Sequence, residues 1–219
     1  MEQRIELKRI QTEFLADLKK ASKTPKDISQ VEYAGILADI FCDYSVKLAE
    51  VFEGIQEEPG NRGEVVNMLQ KSTGAMNAAW CVSYLVYVIN EGLAKPLELP
   101  DIVLATASSQ NLYKWAKKYE AITKVPYRGA IAVWRNGKTW TGHVGLVKKV
   151  IDQNYILTVE GNTGPSKKVN RDGDGVYSKT RSYSKLGEVT NKLWLRGFID
   201  MRKFYIGLIL NLQIMLNDS

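Results

Sequence analysis

Residues 140–163 read WTGHVGLVKKVIDQNYILTVEGNT. Two apolar runs stand in this stretch, Val144 to Val147 and Tyr155 to Glu160, and the turn-forming residues Asp152-Gln153-Asn154 separate them. Runs of this length and texture divided by such a turn are two short strands folded back on each other. The same texture extends outward. Ile131 to Trp134 precedes it across Asn136-Gly137, and Val176 to Tyr183 and Leu193 to Ile199 follow across Asp172-Gly173-Asp174-Gly175. Five short strands with tight turns predict an antiparallel sheet.

Upstream of the strands the periodicity is helical. Ile5, Leu7, Ile10, Phe14, Leu15 and Leu18 recur at three- and four-residue spacings, Lys23-Thr24-Pro25-Lys26-Asp27 interrupts them, and a second periodic run extends from Val31 to Phe52. The natural solution is an antiparallel helical hairpin. Glu57-Glu58-Pro59-Gly60-Asn61-Arg62-Gly63 then breaks the pattern, and shorter helices are expected over Glu64 to Gln70, over Ala78 to Asn90 with Asn77 as cap and Gly92 as stop, and around Leu112 to Tyr119. Helices first and strands afterwards make an α+β chain. The expected organisation is a helical appendage over 1–56, a main domain over 57–200 and an apolar tail over 201–219. No repeat of 20–50 residues is visible.

The chain has 219 residues, about one and a half domains at roughly 150 residues each. With 45% hydrophobic and 25% charged residues it is of ordinary globular composition. Lys and Arg total 30 against 24 Asp and Glu, and the excess is uneven: residues 1–60 carry a net −4 and the remainder a net +10. A basic face suits an anionic partner, nucleic acid or an acidic envelope polymer, or is simply a solvated surface. One histidine, His143, and two cysteines, Cys42 and Cys81, exclude multi-histidine metal sites, four-thiolate zinc sites and a disulfide-dense scaffold.

Those same residues carry the chemistry. Cys81 falls in the opening turn of the expected helix, where unpaired backbone N–H groups and the helix dipole favour a thiolate; a buried structural cysteine beside Trp80 is the alternative. Cys42, beside Ile40 and Phe41, reads as a small buried residue. His143 begins a strand with glycines on both sides, which leave space for a substrate to approach the ring. A cysteine nucleophile needs a base within reach, and His143 is the one imidazole available. Glu160 and Asn162, two apart on a strand, share a face, and an acidic or amide group there would orient the imidazole. Trp134 and Trp140 flank the strand leading to His143 and would wall a groove or pack in the core.

Trp80-Cys81-Val82-Ser83-Tyr84 at a helix start, Gly142-His143-Val144-Gly145-Leu146-Val147 on a strand and Val159-Glu160-Gly161-Asn162-Thr163 on the next resemble the CHAP superfamily of cysteine, histidine-dependent amidohydrolases and peptidases. Asn61-Arg62-Gly63 and Gly173-Asp174-Gly175-Val176-Tyr177 are similar to its phage-endolysin and cell-wall-hydrolase members, and the resemblance covers about residues 57–200. It implies a papain-like α+β fold and cleavage of an amide in the peptide part of peptidoglycan, with no cofactor or metal. By matched position it implies Cys81 as nucleophile, His143 as base and then acid, Glu160 as orienting partner and Asn162 as a second polar group. Trp80 is expected with Trp134 and Trp140 at the substrate. One departure is visible: members often carry Gly-Asp before the first strand, where this chain has Gly129-Ala130.

Two signals are set aside. Asn170, Asp172, Asp174 and Gly175 fit half of a calcium loop, but Arg181 stands where its closing Glu belongs. Phe204 to Leu216 is apolar, yet 13 helical residues reach only about 20 Å of a roughly 30 Å bilayer core. A docked helix or strand is expected there, and no membrane span. No nucleic-acid recognition motif accompanies the basic charge. Residues 1–20 lack the apolar run of a secretory signal, so synthesis in the cytoplasm and action on the bacterial wall are expected.

Overall fold

The structure, a computed structural model, describes residues 2–22, 28–165 and 173–217, the last six of these by backbone alone. The expected break at Lys23 to Asp27 and the Asn170 and Asp172 positions of the calcium pattern lie outside the described residues.

Two long helices open the chain, α1 (Glu2–Ala21) and α2 (Gln30–Glu50). Ser29 fixes the start of α2. Its side chain accepts from the Glu32 backbone N–H while the Glu32 carboxylate accepts from the Ser29 N–H, a reciprocal capping box that satisfies two otherwise orphaned groups. α3 (Glu64–Lys71) and α4 (Cys81–Val86) follow, the latter running on through a π-helical segment, Tyr87–Ala94, and a single 3₁₀ turn, Lys95–Leu97. α5 (Ser109–Lys118) is capped by the Ser108 side chain. Gly92 does not stop the helix as expected: it is buried inside the π-helical segment, against Leu48 of α2.

The strands are β1 (Ile122–Thr123), β2 (Ile131–Asn136), β3 (Gly142–Val150), β4 (Tyr155–Thr163), β5 (Gly175–Ser182) and β6 (Leu193–Ile199). They form one antiparallel sheet in the order β1-β6-β2-β3-β4-β5. The fold is thus α+β with a helical pair ahead of it, the papain-like arrangement of a helix that begins on a cysteine packed against β3 and β4. Only the two-residue β1 has no counterpart among the sequence expectations.

Alternate strand residues face opposite sides. Ile131, Val133, Val144, Leu146 and Val159 enter the main core, where helices cover the sheet. Ala132, Trp134, Val147, Ile156, Leu195 and Phe198 form a smaller cluster on the other face. The main core is continuous from Phe14 of α1 and Phe41 of α2 through Trp80, Tyr84 and Leu85 to Tyr205 and Ile209 of α6 (Met201–Asn217). This cluster runs across residues 57 and 200. α6 docks along α2, with the Phe41 and Tyr205 rings 5.0 Å apart and Arg202 Nε 2.6 Å from Asp39 Oδ1. No helix among the described residues is long and apolar enough to cross a membrane.

Candidate active site

α4 begins on Cys81 itself, three residues later than the sequence predicts. The reason lies in the sheet. Asn162, at the end of β4, holds a left-handed backbone (φ 52°), and its Oδ1 accepts from the Trp80 N–H at 3.2 Å while its Nδ2 donates to Gly173 O at 2.9 Å. That clamp claims the backbone just before Cys81 and sets the helix start against β4. Asn77 is no cap: it sits at φ 56° and donates its backbone N–H to Gln70 Oε1. The first bond within the helix runs from Tyr84 N–H to Trp80 O, so the N–H groups of Cys81 to Ser83 have no acceptor inside it.

His143 comes from β3. Cys81 acts on its ring to raise the proton affinity, and its Nε2 lies 2.8 Å from Glu160 Oε2. The carboxylate on Nε2 leaves Nδ1 for the sulfur. Burial works to lower the His143 pKa, but the bonds to Cys81 and Glu160 and their negative charges prevail and raise it to about 9. For Glu160, which is fully buried, burial works upward and is outweighed by hydrogen bonds from Arg181 and His143, which hold the carboxyl down at about 2. At neutral pH His143 is therefore held as imidazolium against the Glu160 carboxylate.

The carboxylate has more partners than the sequence suggested. Thr158 Oγ1 donates to Glu160 Oε1 at 2.6 Å, and Arg181 donates from Nε to Oε1 at 2.8 Å and from Nη2 to Oε2 at 2.5 Å. Neither Thr158 nor Arg181 is among the site residues expected from sequence. The glycines beside His143 also act differently from expectation. A Cβ on Gly145 would meet Glu160 Cγ at 2.7 Å and one on Gly142 would meet Trp134 O at 2.2 Å, so both admit the protein's own atoms, and only Gly142 of the two also lines the cleft.

Cys81, His143 and Asn162 open into a cleft of about 1280 Å³ that Asn61, Asn136, Trp140, Asn191 and Lys192 also line. Of the three tryptophans expected at a groove, only Trp140 presents a face to it, at 79% exposure. Trp80 is fully buried, its Nε1 donating to Glu57 Oε2 at 2.6 Å, and Trp134 is buried in the smaller cluster with its ring 6.0 Å from that of His143. Both are large apolar surfaces that the core absorbs. Cys42 is buried in α2, and burial pushes its thiol well above the ordinary range, so it offers no competing nucleophile. Gly129, at the position of the Gly-Asp departure, packs directly on it: an added Cβ would lie 2.6 Å from Cys42 Cβ. No group of three or more His, Cys, Asp or Glu among the described residues is placed to hold a metal.

Residues 73–162 match the family model described as CHAP domain. Over this segment the chain is similar to CHAP domains. No curated protein and no solved structure matches the chain. CHAP domains are generally hydrolases of the amidase or peptidase kind, acting on peptidoglycan. The matched CHAP segment contains Cys81, His143, Glu160 and Asn162, whereas Arg181, on β5, lies beyond it.

Proposed function

We propose that the chain is a cysteine hydrolase of the peptidoglycan peptide, an N-acetylmuramoyl-L-alanine amidase or an endopeptidase of the phage-endolysin kind. The observation that carries this is one imidazole, bonded to a buried carboxylate, lining the same cleft as a cysteine that begins a helix. The Cys81 thiolate attacks the amide carbonyl, and the unpaired N–H of Cys81 supports the oxyanion. His143, held as imidazolium by Glu160, gives its proton to the leaving amine. Water then hydrolyses the thioester with the neutral imidazole as base, restoring the ion pair.

The open cleft admits a chain-like substrate, with exposed Trp140 as an apolar platform and asparagine amides to bond a peptide stem. The net +10 of residues 61–219 favours approach to an anionic wall. Purified peptidoglycan treated with the protein is expected to release fragments that Cys81→Ala and His143→Ala do not release, with both variants folded by circular dichroism. Mass spectrometry of the fragments identifies the bond: a new N-terminal alanine with free muramic acid marks an amidase, other new amino groups an endopeptidase. Fragment release by either variant refutes the assignment.

A further inference from the structure

We infer that Arg181 is a positioning residue for this chemistry, gripping Glu160 so that one fixed carboxylate oxygen meets His143 and the buried carboxylate has a fixed counter-charge. The inference rests on the Cys81–His143–Glu160 reading above.

Every acceptor position of the Glu160 carboxylate is filled. Oε1 accepts from Thr158 and from Arg181 Nε, and Oε2 accepts from Arg181 Nη2 and pairs with His143 Nε2. Rotation of the carboxylate would break several charge-assisted bonds together, so its orientation is fixed before substrate arrives. Arg181 is itself confined: its side chain is 11% exposed, and its guanidinium carbon lies 5.6 Å from the centroid of the Trp134 ring, the same ring that stands beside His143.

The placement is not that of a local cross-strand pair. Arg181 stands opposite Ile156, and Glu160 is opposite Tyr177. The Arg181 side chain therefore reaches past Thr158 toward a residue four positions along β4, a backbone separation of about 13 Å. β4 and β5 are already joined along Tyr155 to Glu160 by their backbone ladder, so tying the strands together does not account for this reach.

Charge supplies the second argument. The groups facing Glu160 are His143 from β3, with Cys81 of α4 behind it, and Arg181 and the more distant Lys179 from β5. The buried carboxylate thus stands between the imidazolium and the guanidinium. Without the guanidinium the carboxylate loses the group that does most to hold its proton affinity down, and the proton affinity of the His143–Glu160 pair rises.

The test uses the full chain with Arg181→Met and Arg181→Lys. Two profiles are read against pH: turnover of peptidoglycan, and the alkylation rate of Cys81 by iodoacetamide, mapped by mass spectrometry. Arg181→Met is expected to lower kcat about tenfold or more with KM within about twofold. Both limbs of its profiles are expected to move upward by about half a pH unit or more. Arg181→Lys keeps the charge and is expected to leave the limbs in place while recovering part of the rate. Folded Arg181→Met with unmoved limbs, or the two variants behaving alike, overturns the inference, because a merely structural bridge would lower yield or melting temperature without displacing the profile. Should Arg181→Met not fold, Arg181→Lys decides: reduced kcat at unchanged KM sustains the inference, and wild-type kcat overturns it. Activity in Cys81→Ala or His143→Ala would instead overturn the functional reading.

Discussion

Glu160 sets the working range of the one imidazole. With His143 raised to about 9, the proposed imidazolium is present at neutral pH and is lost as pH rises through that value, so kcat/KM is expected to have its alkaline limb near pH 9. Glu160→Gln removes one of the two groups, Cys81 and Glu160, that raise His143, and leaves Arg181 without its anion. The limb is then expected to move down toward the ordinary value of 6.5, with kcat lower by about 10² or more, and a pH–rate profile of the variant reads both. Stability follows the same signs. The His143 contribution is complete below 6.5 and is lost as pH rises through about 9, while that of Glu160 is complete above 4.5 and is lost as pH falls through about 2. Urea midpoints of wild type should therefore decline between pH 6.5 and 9 relative to those of Glu160→Gln, and parallel curves would contradict the coupling. Cys81, His143 and Glu160 were legible in the sequence because each is an unusual residue for its place: the one histidine, a cysteine at a helix start, an acid in an apolar strand. Arg181 was not, because an arginine on a strand reads as surface charge and its partner stands far from its register neighbour.

At the level of elements, close approach between β3 and β4 places the carboxylate. A methyl group at position 145 would overlap Glu160 Cγ, which lies in a fully buried layer with Thr158 behind it and cannot yield freely. Gly145→Ala is expected to cost about 1–3 kcal/mol through overpacking, measured by urea denaturation, and to reduce kcat as Glu160→Gln does. A stable variant at full rate would show that the carboxylate tolerates displacement. Strands and helix faces were readable because period-2 and period-3.6 patterns record burial directly. The start of α4 was not. Asn77 before Ala-Ala-Trp-Cys has the composition of a cap, but the bond that decides comes from Asn162, 82 residues from Trp80, and tertiary contact overrides a local signal. The π-helical continuation past Gly92 has the same origin, since Leu48 of α2 occupies the space beside that glycine and the helix runs on within the core.

For the whole molecule, the question is whether the helical pair is an attachment or part of the catalytic body. α2 buries Leu37, Phe41, Tyr44, Val46 and Leu48 in the same cluster that holds Trp80, Tyr84 and Leu85 around the Cys81 helix. Ala49 O accepts from the fully buried Tyr84 hydroxyl at 2.7 Å, and Glu50 and Glu53 pair with Lys148 of β3 at 3.0 and 2.8 Å. Each large apolar side chain of α2 contributes about 1.5–3 kcal/mol through burial, so a handful of them match the whole stability of a domain, about 5–15 kcal/mol. Removing α2 would also strip α6 of the surface it docks on and expose Tyr84 with its hydroxyl unpaired. A chain cut to residues 57–219 is therefore expected to show no cooperative unfolding transition and no peptidoglycan turnover, whereas the full chain melts in a single transition that near-ultraviolet circular dichroism and calorimetry place at the same temperature. A truncated protein that melts cooperatively and retains turnover would show that the continuous core is not required and that the sequence boundary at residue 57 is a structural one after all.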